Sequence, residues 1–275
     1  MSASAGNAVT AGTGDRLAAP AGSIYRYGKV VNSHDLMKVF AICVMVVDHT
    51  GHFFVDDNLW FRVVGRMAAP LFFFLVGYSG SYRFKLQVLL LGIALWIINF
   101  LTNTSPSMIE HAIPVNILIS FVLIKALMGK FDFARMSTES LVLILAALML
   151  VSIPTYVVVE YGSLGLCYAI GARLLHQRHP LGRFWMATTV GVHFIFEMVA
   201  LLIWNSAVPV HILPVAIPML AILLLVNLTL FINYGLRTFT VQPRWVRTPL
   251  IYASRYSLQI YFFHLAAFMI VYRLT

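Results

Sequence analysis

The sequence predicts an all-α fold, a polytopic transmembrane helical bundle, and three observations carry that prediction. Hydrophobic residues make up 60% of the 275-residue chain and charged ones only 11%, where a soluble domain would carry roughly a quarter charged residues. The mean hydropathy is +0.86. The apolar residues fall into runs long enough to cross a bilayer, which takes roughly 20 residues per helix. Such a chain has room for about nine spans and little else, which excludes a large soluble catalytic domain. The net charge of +9 lies between the apolar runs, where it sets orientation and does not argue for nucleic acid.

Taken in order, residues 1–32 are rich in Ala, Gly, Ser and Thr without a continuous apolar core, and read as a disordered cytoplasmic tail. Residues 33–275 read as one transmembrane domain. Apolar runs bounded by Gly, Pro, Asn and charged residues place helices at about 34–55, 60–80, 84–101, 113–129, 139–159, 162–177, 184–204, 209–232 and 251–273. The sixth is short and carries Gly162, Gly165 and Gly171; the eighth carries Pro209, Pro214 and Pro218.

Charge alternates between the connections. Arg26, Lys29 and Lys38 flank the start of span one, Arg83 and Lys85 follow span two, and Lys130 and Arg135 follow span four. Arg173, Arg178 and Arg183 follow span six, and Arg237, Arg244 and Arg247 precede span nine. The opposite connections carry Asp56, Asp57, Arg62, Glu110, His111 and Glu160. The positive-inside rule puts the N-terminus in the cytoplasm and the C-terminus across the membrane. Cys43 and Cys167 fall inside apolar runs with no metal-ligand spacing, so they read as small core residues, and no metal site is expected.

The functional signal is a set of ionisable residues inside these spans, where such groups are costly and generally functional. With a rise of about 1.5 Å per residue, Asp48, His49, Arg66, His193, Glu197 and His264 share one layer in the half facing away from the cytoplasm, together with Asn99 and Asn116. Lys38, His49 and His52 lie within about 60° of one another and form a polar stripe along span one. The plain reading makes Asp48 a structural partner of Arg66, and has His193 and the asparagines hydrogen-bonding neighbouring helices. The chemical reading makes His49 a general base, since a neutral imidazole suits that role near pH 7.

Asp35-Leu36-Met37-Lys38 through Val47-Asp48-His49-Thr50-Gly51, followed by Gly65-Arg66-Met67-Ala68-Ala69-Pro70-Leu71-Phe72-Phe73-Phe74-Leu75-Val76-Gly77, resembles the TraX family of conjugal-transfer membrane proteins. The final Ile260-Tyr261-Phe262-Phe263-His264-Leu265 resembles it more loosely. At greater distance the layout is similar to acyltransferase family 3, with Lys38 standing where that family has arginine and His49 where it has an essential histidine.

The resemblance implies an inner-membrane N-acetyltransferase that moves acetyl from cytoplasmic acetyl-CoA to the N-terminal amine of a pilin subunit. It implies His49 as base or transient acyl acceptor, Asp48 as its orienting group, Arg66 as carboxylate partner or oxyanion stabiliser, and His264 as the alternative base. Lys38, Arg83, Lys85, Arg244, Arg247 and Arg255 are the candidates for the CoA phosphates. The rival readings are a proton-coupled transporter, which uses similar buried groups, and a noncatalytic pilus-assembly subunit.

Overall fold

The computed structural model describes residues 30–55, 58–83, 85–102, 115–203 and 210–274. Residues 1–29 of the expected N-terminal tail, and the connection residues Asp56, Asp57, Glu110 and His111, lie outside them; the last three residues of that expected tail, 30–32, are not disordered but form a strand. The fold is all-α apart from two three-residue strands.

Strand β1 (Val30–Asn32) pairs antiparallel with β2 (Thr238–Thr240), Val30 opposite Thr240. Helix α1 (Ser33–Phe54) starts directly after it. Asn32 is its cap: the Asn32 side chain accepts the Asp35 N–H at 2.9 Å, and Asp35 accepts the Asn32 N–H at 3.1 Å. This reciprocal arrangement satisfies two donors that a helix start leaves open.

The second predicted span is two helices, α2 (Leu59–Gly65) and α3 (Ala68–Tyr78). Pro70 explains the break: its ring cannot share an α-helix with the carbonyl four residues back, that of Arg66, and it has no N–H to give. Asn227 Nδ2 donates to the carbonyl of Met67 at the break, at 3.3 Å.

Helices α4 (Leu86–Thr102) and α5 (Ile117–Lys130) follow, then α6 (Thr138–Leu150) and α7 (Ser152–Val158), which meet at 54°. Pro154 acts there as Pro70 does, its ring set against the carbonyl of Leu150. The chain continues through α8 (Gly162–His176), α9 (Gly182–Ile203), α10 (Leu213–Ile232), α11 (Arg244–Arg255) and α12 (Ser257–Leu274).

Among the described residues, five helical stretches are long and apolar enough to cross a membrane: Ser33–Phe54, Leu59–Tyr78, Gly182–Leu202, Leu213–Ile232 and Ser257–Leu274; the bent α6–α7 pair makes up to six. The other three predicted spans correspond to helices of 17, 14 and 15 residues, shorter than a perpendicular crossing needs. Helix α11 covers residues 244–250 of an expected connection and the first five residues of the expected ninth span, 251–273, which therefore starts its long helix only at Ser257. Helix α11 is amphipathic, with Trp245 79% exposed.

The core is centred on α3 and α8. All of Ala68–Leu75 and Gly77 is buried, and a β-carbon on Gly77 would lie 1.9 Å from the Ala169 carbonyl oxygen. Glycine therefore lets the two backbones touch, the use small residues find between membrane helices. Phe74 stacks on Phe231 of α10 at 4.4 Å, and the Trp185 indole of α9 donates to the Cys167 carbonyl at 2.8 Å. Cys167 is buried as expected, but Cys43 is exposed on the outer face of α1. A face of a helix against lipid is as apolar as one against protein, so the run alone did not separate them.

Helices α1 and α12 run parallel. The Ser254 hydroxyl, just before α12, donates to Asp35 near the start of α1; further along, His49 meets His264, and Phe53 meets Phe268 and Tyr272.

Candidate functional site

His49 of α1 and His264 of α12 are in direct polar contact, with His49 Nδ1 2.7 Å from His264 Nε2. The rest of the hydrogen bonding fixes the protons. His264 Nδ1 lies 2.8 Å from the Ile260 carbonyl, which can only accept, so Nδ1 carries the hydrogen. A neutral His264 then has its lone pair on Nε2. His49 must donate from Nδ1 to that lone pair, which leaves the His49 lone pair on Nε2. The partner ring has thereby set His49 in the tautomer a general base requires.

The sequence reading gave Asp48 the task of orienting His49. In the structure Asp48 faces Arg62 instead, both carboxylate oxygens 3.2 Å from Nη1, because neighbouring residues on a helix point about 100° apart. His264 orients His49, so its geometry is that of a partner and not of an independent base. Asp48 fits where it does because residue 65 is glycine: a β-carbon there would lie 2.3 Å from the Asp48 Cβ.

Arg66 does not pair with Asp48 either. Its Nε lies 2.9 Å from Glu197 Oε2 in an ion pair. Glu197 Oε1 lies 3.3 Å from His193 Nε2, and His193 Nδ1 lies 2.9 Å from the Tyr168 hydroxyl. A carboxylate accepts only, so His193 Nε2 donates to Glu197 and, with His193 neutral, the Tyr168 O–H donates to Nδ1. Tyr168, His193 and Glu197 are each no more than 2% exposed, and this chain of bonds gives each a partner. Arg66 sits within electrostatic reach of Asp48, Tyr156 and Tyr161, so the two networks adjoin. The expected layer of polar residues therefore does converge, from α1, α2, α9 and α12, with partners different from those the spacing suggested.

Asn116 caps α5, accepting the Leu118 N–H at 3.1 Å and donating to the Gly92 carbonyl at 2.8 Å. That is a structural role. Asn99 does not line the cavity described next.

A cavity of about 40 Å³ opens between these helices, lined among others by His49, Asp48, Phe121, Glu160, Tyr161 and Tyr261. One water needs about 10–15 Å³ on this scale, so there is room for about three or four water-sized groups. Glu160 and Tyr161 come from the turn between α7 and α8, which the sequence reading treated as a far-side connection. Three features hold that turn. Val159 bridges Val115 in parallel, and the Glu160 N–H donates to the Val115 carbonyl at 2.9 Å. Tyr161 has φ +64° and Gly162 φ +44°, left-handed conformations rare for a bulky residue such as tyrosine. The Ser163 N–H donates to Thr155 Oγ1 at 3.0 Å. The Tyr-Gly pair after a carboxylate was the available signal, and helical periodicity cannot read it.

At the other end of α1, Lys38 lies within electrostatic reach of Asp35 and Lys85, and Lys125 of α5 within reach of both lysines. Lys38, Lys85 and Lys125 thus act electrostatically on one another. Arg83 and Arg255 are exposed. From Lys38 to His49 is eleven residues, about 16 Å along the helix.

A family profile described as TraX protein matches residues 33–272, nearly all of the described structure. The chain belongs to the TraX family. It is also similar to uncharacterized protein RP591 of Rickettsia prowazekii (strain Madrid E), 30% identical over 92 residues. That match takes in 34% of this chain and 35% of RP591, so the chain spans about a third of the length of this curated relative. No solved structure matches the chain. The TraX match includes α1, α2, α3 and all of α12 up to residue 272, and so every residue of the two polar networks.

Proposed function

We propose that this TraX protein is an inner-membrane N-acetyltransferase that moves an acetyl group from cytoplasmic acetyl-CoA to the N-terminal amine of a pilin subunit. The observation that carries the reading is the His49–His264 pair, of which His49 lines the cavity. Aminolysis of a thioester needs a group to take a proton from the attacking amine, and His49 Nε2 carries the lone pair to do so. The cavity is of a size for a small acyl group such as acetyl beside an amine nitrogen. Tyr161 and Tyr261 are the O–H donors among the lining residues named above, and supply hydrogen bonds to the developing oxyanion. Arg66, tied to Glu197, contributes its charge from behind that wall.

Acetyl-CoA is the donor in this reading, with its phosphates against Lys38, Lys85 and Lys125 and its pantetheine arm along the 16 Å or so of α1 that leads to His49. Arg83 and Arg255 take the outer rim. Lysine offers a point charge in place of the bidentate geometry of arginine, which suits a mobile diphosphate.

The test is the intact mass of pilin from cells making wild-type or His49→Ala protein at equal membrane level. An acetyl-sized increment with wild type alone is expected. An increment that persists in His49→Ala removes His49 from the chemistry, and its absence in both removes the proposed activity on pilin.

A further inference from the structure

Two carboxylates line the cavity, and only one is in a direct ion pair; Arg66 and Arg62 are within electrostatic reach of the other, Glu160, without contacting it. Asp48 has Arg62 against both of its oxygens. Glu160 Oε2 accepts the Ile117 N–H at 2.9 Å, and among the described residues no lysine, arginine or histidine forms an ion pair with Glu160. It shares the cavity wall with Asp48, His49 and the rings of Phe121, Tyr161 and Tyr261. An unpaired carboxylate in such a place is costly, yet the fold fixes it firmly. Its N–H is held by Val115, its own carbonyl accepts the Ser120 hydroxyl at 3.0 Å, and the left-handed Tyr161 follows it.

We infer that Glu160 is the recognition group for a primary ammonium, the acceptor amine of the transfer reaction, which binds in the cavity beside His49. This rests on the acyl-transfer reading and deepens it. A carboxylate among aromatic rings is the combination that selects an organic cation: the oxygen gives a charge-assisted hydrogen bond, and ring faces attract the remaining positive charge. A hydroxyl acceptor would gain little from it.

The position also serves the chemistry. The ammonium gives one proton to His49 Nε2, and the freed nitrogen lone pair attacks the thioester carbonyl carbon. The C–S bond breaks and the thiolate takes the proton from the His49 imidazolium. The nitrogen loses its second proton to Glu160, which releases it to water, so that an ammonium and a thioester become an amide, a thiol and one free proton. Once acetylated, the nitrogen has no charge to hold it at Glu160, and the product leaves.

The experiment uses the full chain in lipid nanodiscs without any acetyl donor. The probes are a short apolar peptide with a free α-amine and its des-amino analogue, each titrated onto wild type, Glu160→Gln and Glu160→Asp. Glutamine keeps the acceptor for the Ile117 N–H and the shape of the side chain. Wild type is expected to bind the free-amine peptide at least tenfold more tightly than the analogue, Glu160→Gln to lose that preference, and Glu160→Asp to keep part of it. Ethylammonium should displace the peptide from wild type and ethanol should not, a readout that needs no variant to fold.

Binding by Glu160→Gln within twofold of wild type, or no displacement by ethylammonium, overturns the ammonium site. Because donor is absent, the result is separable from the transfer reaction. Amine selectivity through Glu160 without any acetylated product would refute acetyl transfer alone. Acetylation with an unchanged KM for the amine in Glu160→Gln would refute the ammonium site alone.

Discussion

Replacing His264 by leucine should separate catalysis from stability by a wide margin. The side chain keeps similar bulk, so α12 still packs on α1. What goes is the acceptor 2.7 Å from His49 Nδ1. A buried donor left without a partner costs about 1–3 kcal/mol of stability. The catalytic loss should be larger. Without His264 Nε2 nothing holds the proton on His49 Nδ1, the ring shifts to the other tautomer, and the base lone pair leaves Nε2. General-base catalysis contributes about 10²–10⁴-fold, or about 3–5 kcal/mol of barrier, and most of that should disappear. Glutamine at 264 places an amide oxygen near where Nε2 was, and should retain activity within about tenfold of wild type on this scale. The assay is acetyl incorporation into a pilin N-terminal peptide by purified protein in nanodiscs, with a thermal melt of each variant. His264→Leu with activity within threefold of wild type, alongside an inactive His49→Gln, would refute the tautomer argument. Equal loss in His264→Leu and His264→Gln would show that histidine at 264 does more than accept a hydrogen bond.

Gly77→Val should prevent α3 and α8 from closing, since the first added carbon lies 1.9 Å from a backbone oxygen that cannot swing aside; overpacking costs about 1–3 kcal/mol or more. A melting curve like that of wild type would contradict the contact. Gly65→Ala should push Asp48 off Arg62 and lower activity, whereas in an Asp48→Ala background the same change should be tolerated; equal effects in both backgrounds would break the link. Glu197→Leu leaves the Arg66 charge and the His193 N–H without their acceptor and should cost about 3–5 kcal/mol. Adding Arg66→Met should restore most of the lost Tm, and no recovery would mean that the pair does not act as a unit.

Sequence alone determined the class of molecule and the chemistry it stores. Composition required a helical membrane bundle, and periodicity placed a helix at each of the nine predicted spans, because apolar length and punctuation are local properties. Rise per residue then put Asp48, His49, Arg66, Glu197 and His264 in one layer, since depth along a helix is linear in residue number. Tertiary structure decided the partners. Depth leaves rotation and neighbour order open, so the spacing paired Asp48 with Arg66 where the fold pairs Asp48 with Arg62 and Arg66 with Glu197. The 2.7 Å contact between His49 and His264 joins residues 215 apart in the chain, and no local pattern encodes it. Pro70 and Pro154 were visible, but whether each would bend or break its helix depended on the packing around the break, where Asn227 of α10 bonds the Met67 carbonyl. Glu160 escaped notice because a turn held by φ +64° at Tyr161 and a bridge from Val159 to Val115 has no period to read. Its place on the cavity wall exists only once α5, α7 and α8 have met.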